Sequence, residues 1–309
     1  MNYILLAAGF VLLIKGADYF VDGSASVAAN LRVPPMVIGL TVVAMGTSAP
    51  ECAVSVAASF KGDNAVAISN VIGSNIFNLM MVCGVCAVLS PLEVKEKILK
   101  REFPLSVLSV LLLLGAGFLG LIIGRLDGLI LLALFAAFLA WVVKEAMGSR
   151  QNHGKSEEIK PLKGVRCLIY ILGGIGAIVI GGDLVVDSAS AIAENFGLSQ
   201  TLIGLTIVAM GTSLPELVTS VVAARKGETD MALGNVIGSN IFNILLVLGL
   251  AGAISPMEVL KENLIDGIIL LAMSVVVWIF AWCRKQISRI EGSVMIMIYA
   301  AYMGYICIR

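Results

Sequence analysis

The sequence is poor in charge, in histidine and in cysteine pairs. Only 14% of its 309 residues are charged, whereas an ordinary soluble domain has about 25%. The single histidine, His153, lies in a polar segment, and most of the six cysteines lie in apolar segments without disulfide spacing. Cys83 and Cys86 form a Cys-x-x-Cys pair, but a second pair that would complete a zinc site is missing from the sequence. These shortages argue against a soluble domain, a disulfide framework and a zinc or redox centre.

Apolar residues take the place of the missing charge. They make up 59% of the chain, the mean hydropathy is +1.00, and the net charge is zero. This composition predicts an all-α integral membrane protein surrounded by lipid, with no sign of a nucleic-acid partner; protein partners stay open. Ten segments have the roughly 20 apolar residues that a span requires. They are 2–30, 35–60, 64–89, 102–123, 126–146, 165–196, 200–224, 229–254, 264–283 and 291–308.

One segment of the chain occurs twice, at a constant offset of 165 residues. The letters GTSAPE at 46–51 return as GTSLPE at 211–216, and NVIGSNIFN at 70–78 returns unchanged at 235–243. A fixed long period indicates a duplicated structural unit. The first span takes part in the repeat and lacks a basic n-region, so we interpret it as a retained helix and not as a signal peptide.

The repeat divides the chain into two halves. Residues 1–146 and 165–309 each hold five predicted spans, and a polar loop at 147–164 connects them. Because five is odd, the second half enters the membrane upside down, which is a common transporter architecture. We therefore predict ten transmembrane helices in two inverted five-helix repeats, with helices 2, 3, 7 and 8 broken. The most similar parts are about 38–89 and 203–254.

Lysine and arginine predict the orientation. If the N-terminus is outside, sixteen of them lie on the inner side, four lie on the outer side, and Lys15 lies within a helix. The positive-inside rule then places both termini outside and the 147–164 loop in the cytoplasm. We expect the protein to lie in the cell (inner) membrane. The four outer residues are Lys61, Arg125, Lys261 and Arg309.

Spans two and seven carry the polar residues that cost most in lipid. Glycine and proline within GTSAPE predict a broken helix, which would free backbone carbonyls such as that of Ala44 for a cation. Thr47 and Ser48 add hydroxyl oxygens, and Glu51 lies one turn beyond Thr47. An ionisable group at this depth is a functional-site hypothesis by default. The second copy supplies Ala209, Thr212, Ser213 and Glu216.

Spans three and eight add further oxygen donors. Ser74 and Asn78 share one helix face, and Ser239 and Asn243 are their counterparts. Carboxylates, hydroxyls, carboxamides and carbonyls are the ligands of hard cations such as Ca²⁺, whereas zinc and copper favour histidine or thiolate. Two ionised glutamates would carry the charge that one Ca²⁺ neutralises. Without an ion, such a buried pair should be unstable or should take up protons.

Helix packing is the alternative interpretation of several of these residues. Small residues and hydroxyls also join membrane helices, which would explain the glycines, Ser55 and Ser220. Packing does not explain two intramembrane glutamates that each follow a proline. For Asn70 and Asn235, packing and bracing of the broken helix both stay open.

Two acidic pairs also recur at the 165-residue offset. Asp18 and Asp22 lie in the first helix, and Asp183 and Asp187 lie in the sixth. They would either line ion vestibules or lie near the membrane interface with basic or water partners.

The paired GTS-x-PE and GSNIFN segments resemble the α-repeats of the cation/calcium antiporter superfamily, and more narrowly those of prokaryotic sodium/calcium exchangers. Proton/calcium exchangers have Gly-Asn-Ala-(Thr/Pro)-Glu where this chain has Gly-Thr-Ser-x-Pro-Glu. The resemblance implies electrogenic Na⁺/Ca²⁺ exchange by alternating access, typically of three Na⁺ for one Ca²⁺, with the first and sixth helices sliding across the site. It implies no organic cofactor and no enzymatic activity.

The resemblance also implies roles for individual residues. Glu51 and Glu216 would form the central Ca²⁺ site. Potassium-dependent relatives have aspartate where this chain has Asn243, so we predict K⁺-independent exchange. The Na⁺ ligands would be Thr47, Ser48, Ser74 and the Ala44 carbonyl on one side, with Thr212, Ser213, Ser239 and the Ala209 carbonyl on the other.

Three other functions compete with this interpretation. An intramembrane aspartyl protease would need Gly-x-Gly-Asp, whereas residues 180–183 read Ile-Gly-Gly-Asp. A cation channel could use the same oxygen donors, but broken helices in inverted repeats favour alternating access. An antiporter of the same fold could move H⁺, K⁺ or another divalent cation, because the glutamates could titrate as readily as they bind Na⁺.

Overall fold

The computed structural model describes residues 1–62, 64–149, 162, 164–197 and 209–308, and the described chain is helical apart from four two-residue strands. Most of the 147–164 loop and the beginning of predicted span seven therefore lie outside the described residues. The helices are α1 (Asn2–Leu31), α2 (Pro35–Thr47), α3 (Ala49–Lys61), α4 (Asn64–Phe77, then Asn78–Val82 and Cys83–Leu89), α5 (Ile98–Glu102, then Phe103–Gly120), α6 (Arg125–Ser149), α7 (Val165–Asn195), α8 (Ala209–Gly211), α9 (Leu214–Arg225), α10 (Thr229–Phe242, then Asn243–Val247 and Leu248–Ile254), α11 (Lys261–Arg284) and α12 (Arg289–Ile308).

The membrane-spanning character of the helices is confirmed. Seven described helices are long and apolar enough to cross a bilayer, and α2 with α3 forms an eighth span if this bent pair counts as one. The pair bends by 48° at Ser48, where the sequence predicts a break. Proline in the first turn of α3 explains the break, since it has no N–H to continue the preceding helix. Buried apolar side chains from both halves form one core around these helices.

Helices α4 and α10 differ from the prediction. We expected the third and eighth spans to be broken, but each is continuous and contains a π-helical segment at equivalent positions, Asn78–Val82 and Asn243–Val247. A π-helical segment accommodates an extra residue without ending the helix. Both segments begin at the last asparagine of the GSNIFN motif, so the repeated sequence produces a repeated local structure.

The four strands join the two halves of the chain. β1 (Leu92–Glu93) pairs with β4 (Gln286–Ile287), and β2 (Ile122–Ile123) pairs with β3 (Met257–Glu258), both antiparallel. Each pair thus connects a loop of the first half to a loop of the second. Because α5 separates β1 from β2 along the chain, and α11 separates β3 from β4, the two pairs lie at opposite ends of these helices.

Glycines bring α1 and α7 into close, antiparallel contact. A Cβ added to Gly9 would lie 3.0 Å from the carbonyl oxygen of Gly181, and one added to Gly16 would lie 2.9 Å from that of Gly174. Position numbers rise along one helix as they fall along the other, so the two helices run in opposite directions. Larger side chains at these positions would force the backbones apart.

Candidate ion-binding site

The two repeated glutamates lie in the first turns of the helices that follow the breaks. Glu51 is in α3 and Glu216 is in α9, and both side chains are 0% exposed. A helix N-terminus favours a negative charge, which makes these first turns suitable places for carboxylates. Among the described residues, no lysine or arginine forms an ion pair with either glutamate. The negative charge of the buried pair therefore needs a cation or protons.

The two halves exchange hydrogen bonds at this point. The Ser48 hydroxyl donates to Oε1 of Glu216 over 2.8 Å, and the Ser213 hydroxyl donates to Oε1 of Glu51 over 2.9 Å. Both serines occupy the N-cap positions of their helices, yet neither side chain caps its own helix. Each hydroxyl is instead used to orient the carboxylate of the other half. The site thus consists of two interlocked copies of one motif.

Several buried oxygens of the predicted donor residues have no hydrogen-bond partner. Each glutamate uses only one of its carboxylate oxygens in the serine bonds. Buried polar atoms are nearly always paired, so these unpaired oxygens are available to a ligand. These oxygens are Oε2 of Glu51, Oε2 of Glu216, Oγ of Ser74, Oγ1 of Thr212, Oδ1 of Asn78 and Oδ1 of Asn243.

Asn70 and Asn235 brace the helices that carry the glutamates. Nδ2 of Asn70 donates to Oγ of Ser55 over 3.0 Å and to the Glu51 carbonyl over 3.4 Å. Nδ2 of Asn235 donates to Oγ of Ser220 over 2.9 Å, and its Oδ1 accepts from Thr47. These contacts support the bracing interpretation of the two asparagines.

Sequence reasoning missed the asparagines at the end of the two GSN triplets, Asn75 and Asn240. Nδ2 of Asn75 donates to the Asn240 carbonyl over 3.2 Å, and Nδ2 of Asn240 donates to the Asn75 carbonyl over 3.3 Å. Oδ1 of Asn75 also accepts from Nδ2 of Asn243 over 3.0 Å. These crossed bonds hold α4 against α10. Their identical position in both copies of the repeat was the available signal.

The remaining predicted donors differ in their availability. Ser239 lies 3.5 Å from Oε1 of Glu216, at the limit of a hydrogen bond, whereas both polar side-chain atoms of Asn78 are buried without a partner. The Ala44 carbonyl is not freed by the break, because it accepts the Ser48 amide over 3.0 Å. The prediction that this carbonyl is free was wrong, since Oγ1 of Thr47 also lies 3.4 Å from it, and its role as an ion ligand stays a prediction. Ala209 is the first described residue of α8.

The donor set contains few charges. The described residues hold no group of three or more His, Cys, Asp or Glu side chains arranged to bind a metal ion. Two carboxylates with neutral hydroxyl and carboxamide oxygens form the site instead. Such a set suits a hard cation and offers nothing to a metal that prefers nitrogen or sulfur.

A cavity of about 490 Å³ reaches Ser48 from between α3 and α10. Its lining otherwise consists of Met45, alanines and larger apolar residues such as Phe242 and Leu250. A hydrated ion gains nothing from such walls. We therefore interpret the cavity as a gap beside the site and not as a route for ions.

Comparisons with known proteins identify the family of this chain. The sodium/calcium exchanger protein family matches residues 1–144 and 167–308. A putative antiporter, CaxA, from Alkalimonas amylolytica is 39% identical, over 98% of this chain and 96% of its own length. The sodium/calcium exchanger MaX1 of Methanosarcina acetivorans is 35% identical, over 98% of this chain and 97% of its own length.

A solved structure gives the same result for the fold. The sodium-calcium exchanger NCX_Mj superposes with a TM-score of 0.86 at 34% identity, over 99% of this chain and 98% of that chain. The resemblance noted in the repeated motifs thus extends over the whole sequence and the whole fold. The chain belongs to the sodium/calcium exchanger protein family.

Proposed function

We propose that this protein exchanges Na⁺ for Ca²⁺ across the cell membrane by alternating access. The observation that carries the proposal is the pair of buried glutamates, each with one oxygen bonded to a serine of the other half and one oxygen free. One Ca²⁺ would neutralise both carboxylates. Since buried charge is costly when uncompensated, Ca²⁺ can leave only if other cations replace it. This requirement couples the two ions.

The same reasoning assigns the ligands. Glu51 and Glu216 would bind Ca²⁺ directly, and their free Oε2 atoms are available for it. Na⁺ would use the glutamates together with neutral oxygens, since a monovalent ion needs less compensating charge. The proposed neutral donors are Thr47, Ser48, Ser74, Asn78 and the Ala44 carbonyl from the first half, and Thr212, Ser213, Ser239, Asn243 and the Ala209 carbonyl from the second.

The architecture that we propose is the predicted one, with ten spans in two inverted five-helix halves. The antiparallel packing of α1 on α7, the strands that pair across the halves and the π-helical segments at equivalent positions all support it. The lysine and arginine distribution supports an orientation with both termini outside and the 147–164 loop in the cytoplasm.

The test is uptake of ⁴⁵Ca²⁺ into proteoliposomes. Vesicles loaded with Na⁺ should accumulate Ca²⁺, whereas vesicles loaded with K⁺ should not. We also propose that the exchange is electrogenic, so uptake should generate a membrane potential. A charge-neutral exchange would contradict this part of the proposal. Uptake driven by a pH gradient alone would identify Ca²⁺/H⁺ exchange, the second candidate. One observation favours that candidate. Both glutamates are buried and pair with no lysine or arginine among the described residues, and such carboxylates must take up protons when no ion is bound.

Exchange should not require K⁺. Asn243 is a neutral carboxamide whose Nδ2 donates to Asn75, so the site has no third carboxylate at this position. Replacing K⁺ by choline on both sides of the vesicle should leave the initial rate of Na⁺-driven uptake unchanged. Asn243→Asp is the matched variant, because it adds the missing charge at nearly constant size. A strict K⁺ requirement in the wild type would contradict this prediction.

A further inference from the structure

One lysine joins α1 to the end of α9. The Lys226 ammonium lies 2.7 Å from Oδ1 of Asp22 and 3.4 Å from Oδ1 of Asp18, and it also donates to the Asp18 carbonyl over 3.0 Å. The side chain of Lys226 is 30% exposed, so the group is partly shielded from water. The interface alternative for Asp18 and Asp22 thus describes this pair correctly. For the second acidic pair, both alternatives stay open.

The equivalent residues in the other half are not joined by ion pairs. Lys61 occupies the position of Lys226 in the first repeat, and Asp183 and Asp187 occupy the positions of Asp18 and Asp22. All three are described and exposed. They take part in none of the ion pairs that the described residues form. One molecule therefore holds two copies of this three-residue charge group, and only the copy with Lys226 forms ion pairs.

The helix packing shows the same asymmetry. α1 packs along α9, whereas the equivalent packing of α7 on α3 is nearly absent from the described part of the chain. The two lysines lie on opposite faces of the molecule. α4 follows Lys61 and crosses to the loop of Lys95, and Lys95 pairs with Asp230, close to Lys226. The α1–α7 pair therefore packs more closely against α9, which ends beside Lys226, than against α3, which ends at Lys61.

We propose that these charges form two alternating ionic latches. Lys226 with Asp18 and Asp22 holds the Lys226 face closed in the conformation seen here. Lys61 with Asp183 and Asp187 holds the Lys61 face closed in the opposite conformation, in which the Lys226 group is separated. The proposal rests on the alternating access of the proposed function. It follows from the repeat, because a molecule whose halves exchange conformations must also exchange their contacts.

Neutral variants should shift the transporter in opposite directions. Lys226→Gln weakens closure of the Lys226 face, so half-saturating Ca²⁺ should fall about two- to fivefold at that face and rise at the other. Lys61→Gln should give the reverse, and the double variant should return towards the wild type. A purely structural role would move both faces together. Shifts of the same sign, or none, would overturn the proposal.

The chain supplies matched controls for these variants. Arg225→Gln removes the charge next to Lys226, and Lys261→Gln removes a lysine that the orientation places on the Lys61 face; neither residue takes part in the ion pairs described above. Both variants should leave the half-saturating concentrations unchanged. The exchanged pair Asp22→Lys/Lys226→Asp should restore the wild-type values. If these controls shift as strongly as Lys226→Gln, general surface charge explains the effect and the latch does not exist.

A crosslinking experiment tests the latches without reference to the transported ions. Asp22→Cys/Lys226→Cys and Asp187→Cys/Lys61→Cys should each be joined by a short bis-maleimide, which spans the length of the lost lysine side chain, in the reconstituted full chain, after the exposed Cys283 and Cys307 are changed to serine. With all four thiols present, either crosslink should form, but not both in one molecule. Both crosslinks in one molecule, or no crosslink between positions 187 and 61, would overturn the latches. Exclusive crosslinks without Na⁺-driven uptake would reject the proposed ions and leave the latches standing.

Discussion

Glu51→Gln should abolish Na⁺-driven Ca²⁺ uptake, and Glu216→Gln should have the same effect. Each substitution keeps the size of the side chain and its ability to accept the serine hydrogen bond, but removes one of two charges that face the ion. A buried ion that loses one charged partner is destabilised by about 3–5 kcal/mol, which corresponds to a loss in affinity of at least about 100-fold. Initial rates of ⁴⁵Ca²⁺ uptake over a wide Ca²⁺ range would measure this loss.

Glu102 provides the matched control. It is also a buried glutamate, 3% exposed and with an unpartnered Oε2, but it lies at the beginning of α5, away from the motif. Glu102→Gln should therefore leave the half-saturating Ca²⁺ concentration close to that of the wild type. If Glu51→Gln transports normally, or if Glu102→Gln fails in the same way, the glutamate pair is not the ion site.

Gly128→Val should destabilise the fold strongly. Gly128 lies in α6, and an added Cβ would come within 2.5 Å of the Ala253 amide nitrogen and 2.7 Å of the Gly249 carbonyl oxygen. These are backbone atoms of α10, so no side-chain rotation relieves the clash. Overpacking costs about 1–3 kcal/mol and occasionally more. The thermal midpoint in detergent should fall by several degrees, together with the yield of folded protein.

The control for this prediction is Gly115→Val in α5. A Cβ at Gly115 would meet no atom within 4 Å, so the substitution changes helix propensity without a clash. Its thermal midpoint should stay near that of the wild type. Equal losses in the two variants would show that glycine itself, and not the close approach of α6 to α10, is required.

The repeat in the sequence predicted the two glutamates of the candidate site. Glu51 and Glu216 were identified because an intramembrane carboxylate after proline occurs twice, and the structure brings both to one buried region. The bend at Ser48 was also predicted, since proline acts on its own backbone and on that of the preceding turn. These features depend on residues close together in the chain, where local chemistry determines the result.

Contacts between distant residues could not be predicted in this way. The sequence placed Ser48 with Glu51, whereas the hydroxyl bonds to Glu216, 168 residues away. The crossed bonds of Asn75 and Asn240 also depend on how α4 meets α10, which no local pattern specifies. The π-helical segments that replaced two expected breaks have the same cause, because a helix keeps or loses its regular hydrogen bonds according to what packs against it.

The sequence by itself determined the membrane character, the duplication and the two candidate carboxylates, because hydropathy and period are properties of the linear chain. Only the tertiary structure decided which half supplies each partner and which of two identical charge groups is closed. Both groups hold one lysine and two aspartates, but their surroundings differ, since Lys15 lies 3.8 Å from Asp18 and its counterpart in the second half is Ile180. The repeat alone therefore does not say which group is assembled. Lys226 is paired, whereas Lys61 takes part in none of the ion pairs among the described residues, and α1 packs along α9.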